Sequence, residues 1–484
     1  MEPIFELPIS VPPRRSRSRL QALHRQLRAA IVEGRLQAGV RLPPTRVFAS
    51  TYGVSRNTAI AAYDLLLSEG YVVTRQGGGT FVSNALLNRS AKTPVRANKD
   101  DARLNEFWRT RSPGAPEPAP RIHFRLGVPE LSLFPFDTWR RLSARALRTY
   151  SKIPVSGYDD PRGRLALREA ISKHVSFTRA VSCEPDDIVI TAGAKQAFDL
   201  IARILVTPGR SVVALENPGY RPPRLAFEAA GAKIVPVPVD EEGIVVTKLP
   251  ANARIICVTP SHQYPTGAVM SAPRRTELLA FAQAHQAVIM EDDYDSEFRF
   301  GDRPLDALQT LDRSSSVFYV GTFSKSLFPA LRIGFIVAPQ WARTALAAAK
   351  QNADGYSAIQ PQETLAAFIH EGHLARHVRR MRRIYDDRRS ALLERLDRDF
   401  PWLRPIPAAA GLHLAALVAP GVDVDAFIAK ARESDVGIET LRIYQFQKAT
   451  APGILFGYGA LGEAAIVEGL ARLRRISVKS RSRA

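Results

Sequence analysis

Apolar positions along this 484-residue chain follow two different rhythms. Near the start, Leu20, Leu23, Leu27, Ala30 and Ile31 recur at the spacing of one buried helix face, until Gly34 and Gly39 interrupt them. A short second helix is expected over 45–52, with Val47, Phe48 and Ala49 as its apolar part. Gly53 and Val54 then make a tight turn. A third helix is expected over 56–68, with Ser55 as N-cap and Ala59, Ile60, Tyr63, Leu66 and Leu67 as its buried stripe. After Gly70 come two short strands, 71–73 and 80–82, joined through Arg75, Gln76, Gly77, Gly78 and Gly79. Between 84 and 120 the rhythm vanishes. Asn, Arg, Lys, Asp and Pro dominate there, which is the composition of a connector, with Leu104, Phe107 and Trp108 as one docked turn inside it. From Phe124 a second rhythm begins, in which helical patterns alternate with short, nearly continuous apolar runs. These runs fall at 188–191, 211–215, 233–237, 255–259, 288–291, 317–321 and 333–337. They read as strands of a parallel or mixed sheet buried on both faces.

Helix, short glycine-containing turn, helix is the helix-turn-helix pattern, and the start of the third helix carries chemistry that suits DNA. Ser55, Arg56, Asn57 and Thr58 occupy its first turn, the part that enters a major groove. Arg can pair with guanine and Asn with adenine on their groove edges. The glycine-rich hairpin with Arg75 can lie along a groove as a wing. The competing reading is a small helical domain that binds protein. The run GRLQAGVRLPPTRVFASTYGVSRNTAIAAYDLLLSEGYVVTRQGGGTFV resembles the winged helix-turn-helix of GntR-type bacterial regulators over the whole domain. That resemblance implies that Arg41, Thr45, Arg46, Ser55, Arg56, Asn57, Thr58, Arg75 and Gly77 face DNA. Pro44 and Thr45 stand where the family often has two serines.

Composition narrows the picture. No stretch approaches the roughly 18 uninterrupted apolar residues of a membrane span, and the N-terminus lacks the features of a secretory signal. Two cysteines, Cys183 and Cys257, make no disulfide framework or zinc cluster and read as reduced core residues of a cytoplasmic protein, nucleoid-associated when on DNA. No metal site is expected. The formal net charge of +20 suits a polyanionic partner, nucleic acid first, against the alternative of a merely basic protein.

The polar residues that follow the second set of strands form an ordered set. Gly193, Ala194 and Lys195 open a helix whose amides can take a phosphate. ENPGY offers Tyr220 as a flat face for a ring. TPSHQYPTG is a loop, and EDDYD supplies Asp292 and Tyr294. The sixth strand leads into GTFSKSLFPALRIGF, with Lys325 between hydroxyls, Thr322 and Ser324 just upstream and Arg332 downstream. A lysine deprotonated by its surroundings can form a Schiff base with an aldehyde, and hydroxyls with an arginine can hold a phosphate. Together these residues look like a seat for pyridoxal 5'-phosphate (PLP). Taken alone, the Lys325 stretch reads equally as a surface lysine in a serine-rich loop, so the order of the whole set decides.

That order resembles the fold-type-I PLP-dependent aminotransferases. The resemblance implies that Lys325 carries the Schiff base, Asp292 partners the ring nitrogen, Tyr294 meets the ring hydroxyl and Tyr220 stacks on the ring. Thr322, Ser324, Arg332 and the amides of 193–195 would bind the phosphate, and Tyr158, in GYDDPRG, would reach the neighbouring subunit's phosphate. Two departures stand out. Tyr264 replaces the asparagine that bonds the ring oxygen, with His262 or Gln263 as nearest polar substitutes. Leu455 stands in place of the arginine that fixes a substrate carboxylate, and Arg442 is the candidate for that task.

A GntR-type head joined to an aminotransferase-like body resembles the MocR family of bacterial transcription regulators, as do HQYPTG, EDDYDSEF and TFSKSLFPALRIGF. The expected architecture is multi-domain: a winged helix-turn-helix at 14–83, a linker at 84–120, and an α/β fold-type-I body with a small C-terminal α+β subdomain at 121–476. The resemblance implies a homodimer, head-to-tail, on double-stranded operator DNA. Its body would sense PLP or an amine or amino acid that reacts with it. The competing readings are an aminotransferase that also binds DNA, and a degenerate body kept as a dimerisation scaffold.

Overall fold

The computed structural model describes residues 7–13, 18–75, 77–83, 103–109, 111–112, 118–150, 160–301, 306–406, 409–446 and 452–476. The chain divides into two compact units, Met1–Ser112 and Pro113–Ala484.

In the first unit, α1 (Arg19–Val32), α2 (Thr45–Thr51) and α3 (Arg56–Ser68) precede the antiparallel hairpin of β1 (Val72–Arg75) and β2 (Gly79–Val82). Leu23, Leu27, Phe48, Ala59, Ala62 and Leu66 meet in its core. Tyr63 donates from its hydroxyl to the Pro43 carbonyl at 3.0 Å, which pins the Pro43–Pro44 turn ahead of α2. Arg28 donates to the Tyr71 hydroxyl at 2.8 Å, so α1 grips the entry to the hairpin. Leu7, Ile9 and Val11 pack against this core, so the head includes residues ahead of 14.

Two positions expected in the buried stripe are on the surface instead, Ile60 at 37% and Leu67 at 40% exposure, and the apolar Val47 of α2 is exposed at 53%. The buried face of α3 runs through Ala59, Ala62, Tyr63 and Leu66, and Ile60 and Leu67 each sit one step round the helix from it. The docked turn also fails. Glu106–Arg109 is a short helix, but Leu104 and Trp108 are exposed, and the Phe107 ring stacks instead under the Arg111 guanidinium.

The second unit opens with β3 (Ile122–His123). An eight-stranded sheet follows, built of β4 (Ile188–Thr191), β5 (Val212–Asn217), β6 (Lys233–Asp240), β7 (Gly243–Ile244), β8 (Ala253–Val258), β9 (Val288–Asp293), β10 (Val317–Thr322) and β11 (Gly334–Val337). Its order is β4-β11-β10-β9-β8-β5-β6-β7. The pairs from β10 through β9, β8 and β5 to β6 are parallel, whereas β11 is antiparallel to both neighbours. Side chains alternate between faces. Along β8, Ile255 and Cys257 enter one apolar cluster while Ile256 and Val258 enter another on the opposite face. Burial on both faces explains why these strands read as unbroken apolar runs.

The small subdomain carries β12 (Leu403–Pro405), β13 (His413–Val418), β14 (Val436–Gly437), β15 (Glu439–Thr440) and β16 (Gly453–Gly457). Four of these form an antiparallel sheet ordered β12-β13-β16-β15. The fifth, β14, pairs in parallel with β3, so the start of the body is built into its C-terminal subdomain.

Candidate cofactor site and nucleic-acid surface

Parallel strands deliver their C-terminal ends to one edge, where ligands of open α/β sheets bind. Asp292 lies in register with Val320, and Asp293 with Gly321, so the end of β9 faces the approach to Lys325. Burial pushes the Asp292 carboxyl up to about 8, aided by neighbouring Asp293. Burial also lowers the Lys325 amine, against the opposing pull of Asp295 and Asp292. The lysine Nζ donates to the Gly127 carbonyl at 2.6 Å. A desolvated lysine amine spends more of its time neutral, and the neutral amine is the nucleophile.

Asp293 is held differently from its neighbour. Arg179 pairs with it at 2.8 Å, both side chains being buried, and Tyr319 and Ser296 donate to the same oxygen at 2.6 and 2.9 Å. Those bonds consume the Asp293 carboxylate oxygen that Arg179 meets. Asp292 Oδ1, by contrast, is buried without a hydrogen-bond partner among the described residues. A protonated pyridine nitrogen is the group that would satisfy it. Tyr220 lines the same cavity as Asp292, together with Thr259 and Met290.

A second cluster lies where a phosphate would sit. Gly193 has φ +81° and caps the helix Ala194–Leu205, and a Cβ there would meet the Arg332 guanidinium at 2.8 Å. Gly334 backs on to Gly193 with equally little room. Arg332 donates to the Ala192 carbonyl, and Ser324 N donates to Thr322 Oγ1 at 3.2 Å. Gly193, Ala194, Arg332, Thr322 and Ser324 are therefore gathered at one helix N-terminus, with the Lys195 side chain turned to solvent. The orphaned carboxylate, the partly desolvated lysine and the glycine-lined cradle together fit PLP. Tyr158 lies outside the described residues.

The structure corrects two expectations. Arg442 does not enter the site; it is exposed and bonded to Asp425 at 2.9 Å, because the short helix Leu441–Tyr444 faces it outward. Leu455 is fully buried among Leu126, Tyr264, Tyr294, Ala415 and Leu441, an apolar wall. Gln263 is not free to replace the missing asparagine. Its amide donates to Glu216, Pro218 and Tyr264 and its carbonyl oxygen accepts from Thr266, which consumes it in shaping the loop. The Tyr264 hydroxyl turns to Tyr444 at 3.1 Å.

Sequence reasoning missed Gly127, Arg179 and Asp295. Gly127 is 198 residues from its lysine and Arg179 is 114 from its aspartate, distances at which no local pattern speaks. Asp295 had a signal, as the third acid of EDDYD after Glu291, but its partner is remote.

In the head, Arg41, Arg46, Ser55, Arg56, Asn57, Arg75 and Gly77 are exposed and Thr45 and Thr58 partly so. Ser55 accepts from Thr58 N at 3.1 Å and shares a 2.7 Å contact with the Thr58 hydroxyl, so both are engaged in capping α3. Arg75 lies over the Phe81 ring at 4.8 Å, and a Cβ on Gly79 would meet Arg41 at 3.1 Å, which places both guanidinium groups on the hairpin.

Among the described residues no helix is long and apolar enough to cross a membrane. Residues 20–82 match the model for bacterial regulatory proteins of the gntR family, and 122–452 match aminotransferase class I and II. The chain is 38% identical over 93% of its length to a probable rhizopine catabolism regulatory protein, MocR, of Rhizobium meliloti, covering 92% of that protein. It is 32% identical over 95% of its length to the pyridoxine biosynthesis transcriptional regulator PdxR of Corynebacterium glutamicum, covering 96% of it. Among solved structures, the α-aminoadipate aminotransferase LysN of Thermus thermophilus, complexed with N-(5'-phosphopyridoxyl)-L-leucine, is similar at TM-score 0.67 and 29% identity, covering 73% of this chain and 91% of that one. With both family models matched in succession along one chain and relatives matched along nearly their whole length, the chain belongs to the MocR-type family of bacterial transcription regulators.

Proposed function

We propose that this chain is a DNA-binding transcription regulator whose body holds PLP on Lys325 and responds to PLP itself, or to an amine or amino acid that reaches it. The observation that carries the reading is the pair formed by a buried, unpartnered Asp292 oxygen and a desolvated Lys325. When bound, PLP supplies an aldehyde carbon that primary amines attack. Asp292 holds the proton on the ring nitrogen. Tyr220 faces the ring, Tyr294 meets its hydroxyl, and Thr322, Ser324, Arg332 and the amides of Gly193, Ala194 and Lys195 take the phosphate. Arg56 and Asn57 read base edges, Arg41 and Arg46 contact phosphates, and Thr45, Ser55, Thr58, Arg75 and Gly77 face the DNA. The protein acts as a head-to-tail homodimer on repeated half-sites, and Tyr158 completes the neighbouring subunit's phosphate site. On operator DNA it is associated with the nucleoid.

Regulation without turnover is favoured over transamination. A transaminase must fix two carboxylates in turn, and here Leu455 presents an apolar wall while Arg442 is bound to Asp425 on the surface. Misplacing a reacting group by about 1 Å can cost roughly a hundredfold in rate. The test is to reduce the purified protein with borohydride and map the label. Covalent PLP on Lys325, lost in Lys325→Ala, is the expected result. A protein that stays colourless with added PLP overturns the reading. Keto-acid release at ordinary enzyme rates, on the order of 1–1000 per second, would favour the aminotransferase instead.

A further inference from the structure

Behind Tyr294 lies a buried set of groups that no role above uses. His262 Nδ1 is 3.0 Å from Asp295 Oδ2, 3.2 Å from Asp295 Oδ1 and 2.9 Å from the Tyr294 hydroxyl. All three residues are buried, His262 and Asp295 to within 1% and 2% of complete side-chain burial. The His262 ring stacks on the Tyr294 ring at 5.9 Å and lies 4.9 Å from His413. His413 Nε2 meets the Pro265 carbonyl at 3.2 Å, and burial together with His262 and Lys325 keeps that ring uncharged. On the last side Gly411 is pressed so close that any Cβ would overlap His262, with Asp295 Oδ2 at 2.6 Å. The imidazole is thus clamped in one orientation.

Proton placement follows from that geometry. An ionised carboxylate only accepts, so the nitrogen facing Asp295 carries the hydrogen. The Tyr294 oxygen, on the same nitrogen, must then accept from it as well. Its own proton is left with no acceptor in the set and turns elsewhere. Burial and the Asp295 charge hold the Tyr294 hydroxyl well above its ordinary pKa, so that proton stays on it.

We infer that Asp295 and His262 form a positioning pair that fixes the Tyr294 hydroxyl as a hydrogen-bond donor toward the ring oxygen of the cofactor. The inference rests on the PLP reading above. It also explains how the site does without the family's asparagine: Gln263 and Tyr264 are spent in the loop, and His262 acts through Tyr294 rather than on the ring.

The experiment titrates the absorbance of the lysine-bound cofactor against pH in full-length protein. A donor on the ring oxygen competes with the proton shared between that oxygen and the lysine nitrogen. Losing the donor raises the pH midpoint. Tyr294→Phe and His262→Ala should each raise it by about one unit, the scale of one hydrogen bond to a charged form. The double variant should go no further than Tyr294→Phe, because both remove one interaction. His262→Asn, whose amide nitrogen can stand where Nδ1 stands, should restore the wild-type midpoint, whereas His262→Gln should not. Apoprotein melting curves for each variant separate this effect from a general loss of folding. If the wild type takes up no PLP, the functional reading has failed. If it does, and Tyr294→Phe shifts the midpoint while His262→Ala does not, or the two shifts add, the pairing is wrong.

Discussion

The strand ends of the body and the first turn of α3 are both functional surfaces, but they are made in opposite ways. Around Asp292 nearly every polar group is buried, and the chemistry comes from what burial does to it: a carboxyl pushed up to about 8 and an amine pulled down. At α3, Arg56 and Asn57 stand in solvent, and the chemistry comes from their shape and reach. Altering the body's site should therefore change stability and pH response together. Changes at the exposed Arg56 and Asn57 should leave stability alone and act through affinity and salt.

The largest expected effect is at Asp292. A buried carboxylate that pairs with a ring cation is costly to lose, ~3 kcal/mol or more, so Asp292→Asn should weaken PLP binding about a hundredfold, read by titration of absorbance. The same variant sharpens the contrast through pH. In the apoprotein the folded-state pKa of about 8 lies above the unfolded value, so this group's stabilisation is complete in acid and is lost as pH rises to 8. Denaturant melts of the body at pH 5 and pH 8 should show the wild type losing more stability than Asp292→Asn, by a few kcal/mol at ~1.4 per pKa unit. Equal slopes would remove the claim that burial sets this carboxyl.

Arg56→Ala comes next. It should cost ~1–3 kcal/mol on the operator and relax specificity, with no change in melting. Arg46→Ala should weaken all sequences alike and reduce the salt slope by about one. An operator affinity unchanged by Arg56→Ala would break the groove assignment. The smallest effect belongs to Ser55→Ala. Losing the cap bond to Thr58 should cost the head ~1 kcal/mol in thermal stability, a case where the head too answers in folding terms.

The same contrast governs what could be read in advance. The head's helices and the body's strands follow from local periodicity, and 56–68 and 188–191 match the observed elements end to end. The meeting of Asp292 with the approach to Lys325 was legible because neighbouring parallel strands end at one edge of the sheet. Arg442 was not, since whether an arginine points inward depends on a competing carboxylate, here Asp425, that sequence spacing does not reveal. Nor could the sequence choose between His262 and Gln263. Adjacent residues face different ways, and only the folded loop shows that Gln263 is consumed by five hydrogen bonds while His262 is clamped against Tyr294.

The pairing of β3 with β14 has a mechanical consequence. Arg121 N bonds the Asp435 carboxylate at 2.8 Å, Phe124 N bonds the Gly437 carbonyl at 2.8 Å, and Gly457 N bonds the Phe124 carbonyl at 3.0 Å. Three residues on, Gly127 holds the Lys325 amine. The start of the body and the reactive amine thus share one stretch of backbone, 121–127. Engaging that amine elsewhere frees the Gly127 carbonyl at the far end of that stretch.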